Sequence, residues 1–241
     1  MQHKNTSRPN RNTLYIALSG GGKSQALLQN AEMPSSGARV LLFDPNEDHP
    51  WCSRFDDLGK FKRAAKAACQ QWYKEKRGFR IAYTGPQSPE IHAQWCKFIL
   101  TLLDGRFETW IIDEELSGSY GNTAAKAEYS HAVLMNQARK YGGIYHGTTQ
   151  KPAEIPKTVY DQCAVWWIGQ VGVSTAKRVA EEMFIDYSLL IDQPELHFYI
   201  KDRKKYGREA VPTKLEYKKP ELIARAQRPH VVKIAAINQA K

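Results

Sequence analysis

Short apolar runs alternate with longer amphipathic stretches along most of this chain. The runs fall at Thr13–Leu18, Arg39–Phe43, Phe79–Thr84, Thr109–Glu115, Gly143–Thr148 and Ala164–Ile168, and several are apolar at consecutive positions. At that length, unbroken apolar character predicts strands buried on both faces, as in a parallel sheet. Between them lie stretches with helical spacing. Leu58–Lys76 carries Phe61, Ala65, Ala68 and Trp72 three and four residues apart, and Pro89–Leu103 gathers Ile91, Trp95, Phe98, Ile99 and Leu102 on one face. Helices are also predicted at Lys23–Ala31 and Ala124–Lys140, with breaks at Pro34-Ser35-Ser36-Gly37 and Gly85-Pro86. Strands that alternate with helices predict the α/β class: a mostly parallel central sheet, right-handed crossovers, and helices flanking it.

The joint between the first strand and the first helix carries chemistry. Leu14–Ser24 reads LYIALSGGGKS. Glycines let successive backbone N–H groups turn toward phosphate oxygens, and a following helix N-terminus adds partial positive charge. Ser19, Gly20, Gly21, Gly22, Lys23, Ser24 and Gln25 are the candidate nucleotide-binding residues. Lys23 would reach the β- and γ-phosphates of ATP, and the Ser24 hydroxyl would ligate Mg²⁺. The usual pattern is G-x-x-x-x-G-K-[S/T]; Ala17 stands where its first glycine is expected.

A second candidate closes the fourth apolar run. Thr109–Glu115 reads TWIIDEE, so carboxylates follow a buried strand at its C-terminal end, where open α/β sheets bind their ligands. In that position Asp113 is the expected Mg²⁺ acid and Glu114 the expected general base for an attacking water. Strand alternation is expected to turn Glu115 elsewhere.

The third element is Tyr141–Gln150, YGGIYHGTTQ, preceded by Arg139-Lys140 and followed by Lys151-Pro152 and Ile155-Pro156. Together with Asp44-Pro45 after the second run, this order resembles the FtsK–HerA superfamily of DNA-pumping ATPases. That family leads an R-x-x-G-I strand into T-T-Q-[R/K]-P and then I-P. An extra glycine separates the two halves of the first motif here. The resemblance covers roughly residues 12–169. It implies a RecA-like P-loop NTPase fold and ATP bound between subunits of a ring, with a hexamer expected. It also implies a sensor role for Gln150 near the γ-phosphate and an arginine donated by the neighbouring subunit. Arg139 is the first candidate for that arginine, with Arg54, Arg106, Arg178 and the C-terminal arginines behind it.

Composition narrows the class. With 241 residues and a 42% hydrophobic content, the chain can bury one sizeable core plus a small appendage. No run reaches the roughly 18 apolar residues of a membrane span, and MQHKNTSRPNRN is not a signal peptide. Cys52, Cys69, Cys96 and Cys163 lack C-x-x-C spacing and read as reduced packing thiols, and His49 near Cys52 does not by itself make a zinc site. Residues 201–241 hold twelve Lys and Arg against four acids, eight of the chain's ten net positive charges, with Tyr206 and Tyr217 among them. That pattern suits contact with a phosphate backbone, and equally a solvated tail or a subunit contact.

The expectation is therefore an N-terminal arm at 1–12, a RecA-like ATPase domain at 13–200 and a basic segment at 201–241. Size and motif layout resemble, within that superfamily, the genome-packaging ATPases of tailless, membrane-containing viruses with double-jelly-roll capsids. The resemblance implies double-stranded DNA as partner, a viral portal vertex or membrane protein as a further one, and a place in the host cytoplasm or at the virion's packaging vertex. A conjugation or mobile-element translocase, a P-loop kinase and a non-catalytic nucleotide-binding assembly factor stay open as alternatives.

Overall fold

A computed structural model describes residues 3–33, 38–49, 51–120 and 129–219. Among them, the apolar runs become the centre of a nine-stranded sheet. The strands are β1 (Thr13–Ile16), β2 (Arg39–Phe43), β3 (Ser53–Phe55), β4 (Phe79–Tyr83), β5 (Thr109–Asp113), β6 (Gly143–Thr149), β7 (Val165–Ile168), β8 (His197–Asp202) and β9 (Val211–Lys214). Their spatial order is β3-β4-β2-β5-β6-β1-β7-β8-β9. The first seven are mutually parallel, and β8 and β9 close one edge as antiparallel strands. Strands β1, β2 and β4 are buried at every position, their apolar residues together with Thr13, Arg39 and Arg80.

Alternation along the strands divides the core into two layers. Leu14, Ile16, Leu41, Phe43 and Ile111 pack under α2 (Leu58–Glu75), α3 (Pro89–Leu102), α4 (Tyr129–Gln137), α5 (Lys157–Gln162) and α6 (Val173–Met183). Tyr15, Val40, Leu42 and Ile112 face the other way, toward Ala26 and Leu27 of α1 (Lys23–Gln29). Helices α2 and α3 start where the sequence supplies caps. Asp57 accepts from Lys60 N at 2.7 Å to begin α2, and Ser88 accepts from Ile91 N at 3.2 Å, ahead of Pro89, to begin α3.

Three strands were not in the sequence reading. Strand β3 is a short, half-exposed edge strand reading SRF, too brief and polar to register as a run. Strands β8 and β9 lie where charge, not periodicity, dominates the sequence. Yet Phe198 and Ile200 are buried, and Lys201 lays its stem over Trp166 with Nζ 4.4 Å from the ring centre. Strand β8 runs across the 200/201 division, and the first part of the basic segment belongs to the sheet. Residues 34–37, 121–128 and 220–241 lie outside the described residues. These include the expected Pro34–Gly37 turn, the first part of the helix expected at Ala124–Lys140, and most of the basic segment's second half.

The N-terminal arm crosses the end of the sheet where the parallel strands begin. His3 N donates to Asp104 O at 2.6 Å, Asn5 N to Lys140 O at 2.8 Å and Arg8 to Gly105 O at 2.9 Å. Arg11 pairs with Glu32 at 2.6 Å and with Glu108 at 2.9 Å. Among the described residues no helix is long and apolar enough to cross a membrane.

Candidate nucleotide-binding site

At the C-terminal end of β1 the chain turns through the glycine loop. Gly20 and Gly22 have φ of 77° and 91°, a left-handed backbone that favours glycine, and Gly21 N donates to Leu18 O at 3.1 Å. Gly22 then caps α1, whose Ala26 N reaches its carbonyl at 2.9 Å. Ala17 fits because two glycines make room for its methyl. A Cβ on Gly21 or on Gly169 would lie 3.0 Å from Ala17 Cβ. The departure from the usual loop pattern is thus accommodated by Gly21 and Gly169 together.

Lys23 curls over this loop and donates to the carbonyls of Ala17 at 3.1 Å and Leu18 at 3.3 Å. Burial pulls its pKa below the usual lysine value, while Glu115, Glu114 and Asp48 oppose that pull. Ser24 follows, half-buried, and Ser19 and Gly20 are exposed. Gln25 differs from expectation. Its buried amide is taken by the chain beyond β9, donating to Lys218 O at 2.8 Å and accepting from Lys218 N at 3.1 Å, while Gln29 donates to Glu216 O at 3.0 Å. Gln25 therefore grips a later segment of the chain.

The acids at the tip of β5 separate. Asp113 shares the face of Ile111, under α3 and α4, where its Oδ2 accepts from His92 Nε2 and from Tyr145 Oη, each at 2.8 Å. Asp113 is fully buried and lies on the face opposite α1, so the structure does not bring it to the phosphate loop as the motif predicted. Burial alone would raise its pKa, but the charge and hydrogen bond of His92, with His131 and Tyr145, hold it below the usual carboxylate range. Glu114 shares the face of Ile112 and α1. Its Oε1 meets His49 Nε2 at 2.5 Å and its Oε2 accepts from Thr148 Oγ1 at 2.5 Å. Glu115 does not alternate away, because β5 ends at Asp113 and Glu115 takes a left-handed φ of 51°. Its Oε1 accepts from Gln150 N at 3.2 Å and from Ser117 Oγ at 2.5 Å. The acids whose charge acts on Lys23 are Glu115, Glu114 and Asp48, and Asp113 is not among them.

His49, Thr148 and Asp48 were not among the predicted site residues. His49 is set by the Asp44-Pro45 loop, where Asp44 accepts from Asp48 N at 2.9 Å and from His49 N at 3.1 Å. Burial would depress the His49 pKa, but the Glu114 charge and hydrogen bond override it and hold it above the usual histidine value. In turn Glu114, pushed up by burial, is held below the usual range chiefly by His49 and Thr148. The Asp-Pro pair was the signal available in the sequence; its use as a support for His49 required the fold.

Gln150 lies at the end of β6, beside Glu115. Arg139 lies at the opposite end of the sheet, before β6 begins, donating to Thr6 O at 3.0 Å and to Arg8 O. Its guanidinium therefore fastens the N-terminal arm of its own chain. Arg54, on edge strand β3 at the nucleotide end, donates to Glu47 O at 3.2 Å and His49 O at 2.9 Å. Arg106 is exposed near the start of β5, and Arg178 lies 5.2 Å over the Tyr160 ring. Glycine amides, a lysine, a hydroxyl, two carboxylates and a glutamine thus meet at one end of a parallel sheet. That inventory suits hydrolysis of a phosphoanhydride.

No known family model matches the chain. It is 28% identical to Protein P9 of Pseudoalteromonas phage PM2 over 173 residues, which is 70% of this chain and 73% of that protein. Its fold matches the genome packaging NTPase B204 from Sulfolobus turreted icosahedral virus 2 in complex with AMPPCP. The TM-score is 0.62 and the identity 13%, over 87% of this chain and 100% of B204. VirB4 of Thermoanaerobacter pseudethanolicus matches with a TM-score of 0.58 and 12% identity, over 91% of this chain and 93% of that one. The fold is that of a P-loop NTPase, in agreement with the resemblance that the motifs carry.

Proposed function

We propose that this chain, a P-loop NTPase by fold, is an ATP-driven motor that moves double-stranded DNA, and that its task is packaging a viral genome. One observation carries the reading: Lys23 of the glycine loop faces Glu114 and Glu115, with Gln150 beside them, in a chain that overlaps B204 along that protein's whole length. Likeness to Protein P9 of a phage supports the viral setting. The match to VirB4 keeps a conjugation-type translocase as the second reading.

ATP would lie along the loop 19–24, with Lys23 leaving the Ala17 and Leu18 carbonyls for the β- and γ-phosphates. The glycine cradle, the half-buried Ser24 hydroxyl and the carboxylates facing Lys23 fit a magnesium nucleotide, whereas the enclosed Asp113 does not. Ser24 and Glu115 would hold Mg²⁺, Glu115 taking the part that the motif gave Asp113, and the ion would supply neutralisation of phosphate charge. Glu114 would accept the proton of the attacking water as the water oxygen bonds to the γ-phosphorus and the bond to the bridging oxygen breaks. Gln150 would position that water or sense the phosphate.

Assembled as a ring, the motor would complete each site with an arginine from a neighbour. Arg54, at the nucleotide end and on an edge strand, fits that part, whereas Arg139 is committed to its own arm. Steady-state ATP hydrolysis by the full chain, with and without double-stranded DNA, tests the reading. Turnover stimulated several-fold by DNA and absent in Lys23→Ala is the expected result. Hydrolysis indifferent to DNA overturns the motor, and phosphate transfer to a small molecule would point to a kinase.

A further inference from the structure

The face of β5 turned away from the phosphate loop holds a second constellation. His92 and Cys96 sit one turn apart on α3, His131 comes from α4, and all three are buried. One ligand atom from each lies within 4.8 Å of the others, and Cys96 Sγ is 3.7 Å from His92 Nε2. Asp113 borders the group, with Oδ2 at 2.8 Å from His92 Nε2 and 3.9 Å from His131 Nε2. The Tyr120 hydroxyl occupies Nδ1 of His131, and the Tyr145 hydroxyl lies 3.2 Å from its Nε2, the nitrogen 3.9 Å from Asp113 Oδ2, so a metal would take the place of Tyr145 at Nε2.

We propose that His92, Cys96 and His131, with Asp113 as fourth ligand, form a structural Zn²⁺ site at the base of the acidic tip of β5. Bond lengths of about 2.0 Å to nitrogen and oxygen and 2.3 Å to sulfur place tetrahedral ligand atoms roughly 3.3–3.7 Å apart. The spacings here run from 2.8 Å for Asp113–His92 through 3.7 Å for Cys96–His92 to 3.9 Å for Asp113–His131, so metal binding would replace the Asp113–His92 hydrogen bond and open that pair. The donor set is the borderline N, S and O mixture that suits zinc, and it excludes magnesium and calcium, which take oxygen cages. A second observation points the same way. Oδ1 of Asp113 is buried with no hydrogen-bond partner, although a buried carboxylate oxygen is costly to leave unmet. A cation bound among these groups gives that carboxylate a counter-charge, and Tyr145, which donates to Asp113 at 2.8 Å and lies 3.2 Å from His131 Nε2, would keep its bond to Asp113 as the metal displaces it from His131.

The site is closed, so its role is to hold elements together: it ties α3, α4 and the end of β5 directly beneath Glu114 and Glu115. The sequence hid it because the ligands come from three separate elements, and no C-x-x-C or H-x₃-H pair marks them.

The test uses the full chain, produced with zinc supplied and stripped of loosely held metal by gel filtration. Elemental analysis is expected to find about one zinc per chain, as a four-ligand structural site requires. Exchange for Co²⁺ is expected to give tetrahedral d–d bands and a thiolate charge-transfer band. Cys52→Ser should keep that band and Cys96→Ser should lose it. Folded wild-type protein without retained zinc overturns the proposal, as does a cobalt spectrum that Cys96→Ser leaves unchanged. If Cys96→Ser does not fold, the wild-type zinc content and thiolate band decide the matter, with Cys163→Ser and Cys69→Ser expected to keep the band.

Discussion

Asp113 and Glu114 are neighbours in sequence and are placed in opposite surroundings. Asp113 points into a closed nest of histidine and tyrosine between the sheet and α3, whereas Glu114 points toward α1 and the phosphate loop. Both are buried and both are held ionised below the usual carboxylate range, so burial and charge state do not tell them apart. Partners do. The Asp113 partners are His92 of α3 and Tyr145 of β6, whereas Glu114 is held by Thr148 near the far end of β6 and by His49 of the Asp44-Pro45 loop.

The largest effects should separate these two acids. Glu114→Gln is expected to keep ATP binding and lose turnover by about 10²–10³-fold, the scale of a missing general base together with its electrostatic contribution. Asp113→Asn should instead lower stability by about 3 kcal/mol, because it breaks a buried charge network. Its turnover per folded molecule should fall much less. Nucleotide titration, steady-state kinetics and chemical denaturation of both variants check the contrast, and equal losses of turnover would collapse it. Lys23→Ala sets the baseline for lost binding.

Gln150→Ala should come next. It is expected to bind ATP normally and lose about 10-fold or more of DNA-stimulated turnover, the contribution of one positioned polar group. Undiminished stimulation would leave Gln150 as a strand-end residue that serves Glu115 through its backbone alone.

The arginine candidates give a smaller, qualitative signal. Mixing Arg54→Ala with Lys23→Ala chains should restore part of the activity, since some interfaces then pair an intact lysine with an intact arginine. Arg139→Ala should keep most activity when unmixed and should loosen the arm, seen as faster amide exchange at residues 3–8. An inactive Arg139→Ala that recovers on mixing would reverse this assignment.

The smallest expected effect is a pH dependence of the His49–Glu114 pair. The raised pKa of His49 makes its share of stability fully present below about pH 6.5, its ordinary value, and lost as pH rises through the folded-state value. The lowered pKa of Glu114 works the other way: its share is present above about pH 4.5 and lost as pH falls through the folded-state value. The gap in thermal midpoint between wild type and His49→Gln should therefore narrow toward alkaline pH. A gap that widens there would remove the charged pair from the account.

The parallel core was legible because each central strand is an apolar run and each run ends in a turn. Helices α2 and α3 were legible within a residue, since Asp57 and Ser88 cap periodic stretches. Strand β8 was hidden because its lysine and aspartate drew attention to charge, while Phe198 and Ile200 carried the buried pattern. The glycine turn between β1 and α1 could be read from spacing alone. The roles of the acids could not. Which side of β5 Asp113 takes depends on where His92 and Tyr145 arrive, and the reach of Glu115 depends on one left-handed residue at the strand's end. Nor could the sequence give Arg139 its partners, which lie more than 130 positions away in the arm.

The nest around Ala17 has a consequence for how this loop can change over generations. Gly21 and Gly169 each leave space for one methyl, and they are 148 positions apart along the chain. A side chain at position 169 would meet Ala17 Cβ and the Phe198 ring, each at 3.0 Å, so glycine at position 17 relieves one of the two contacts and Phe198 must still give way. The order of substitutions therefore matters. Gly169→Ala should be harmful in this background and less harmful beside Ala17→Gly, with the Phe198 ring setting what remains.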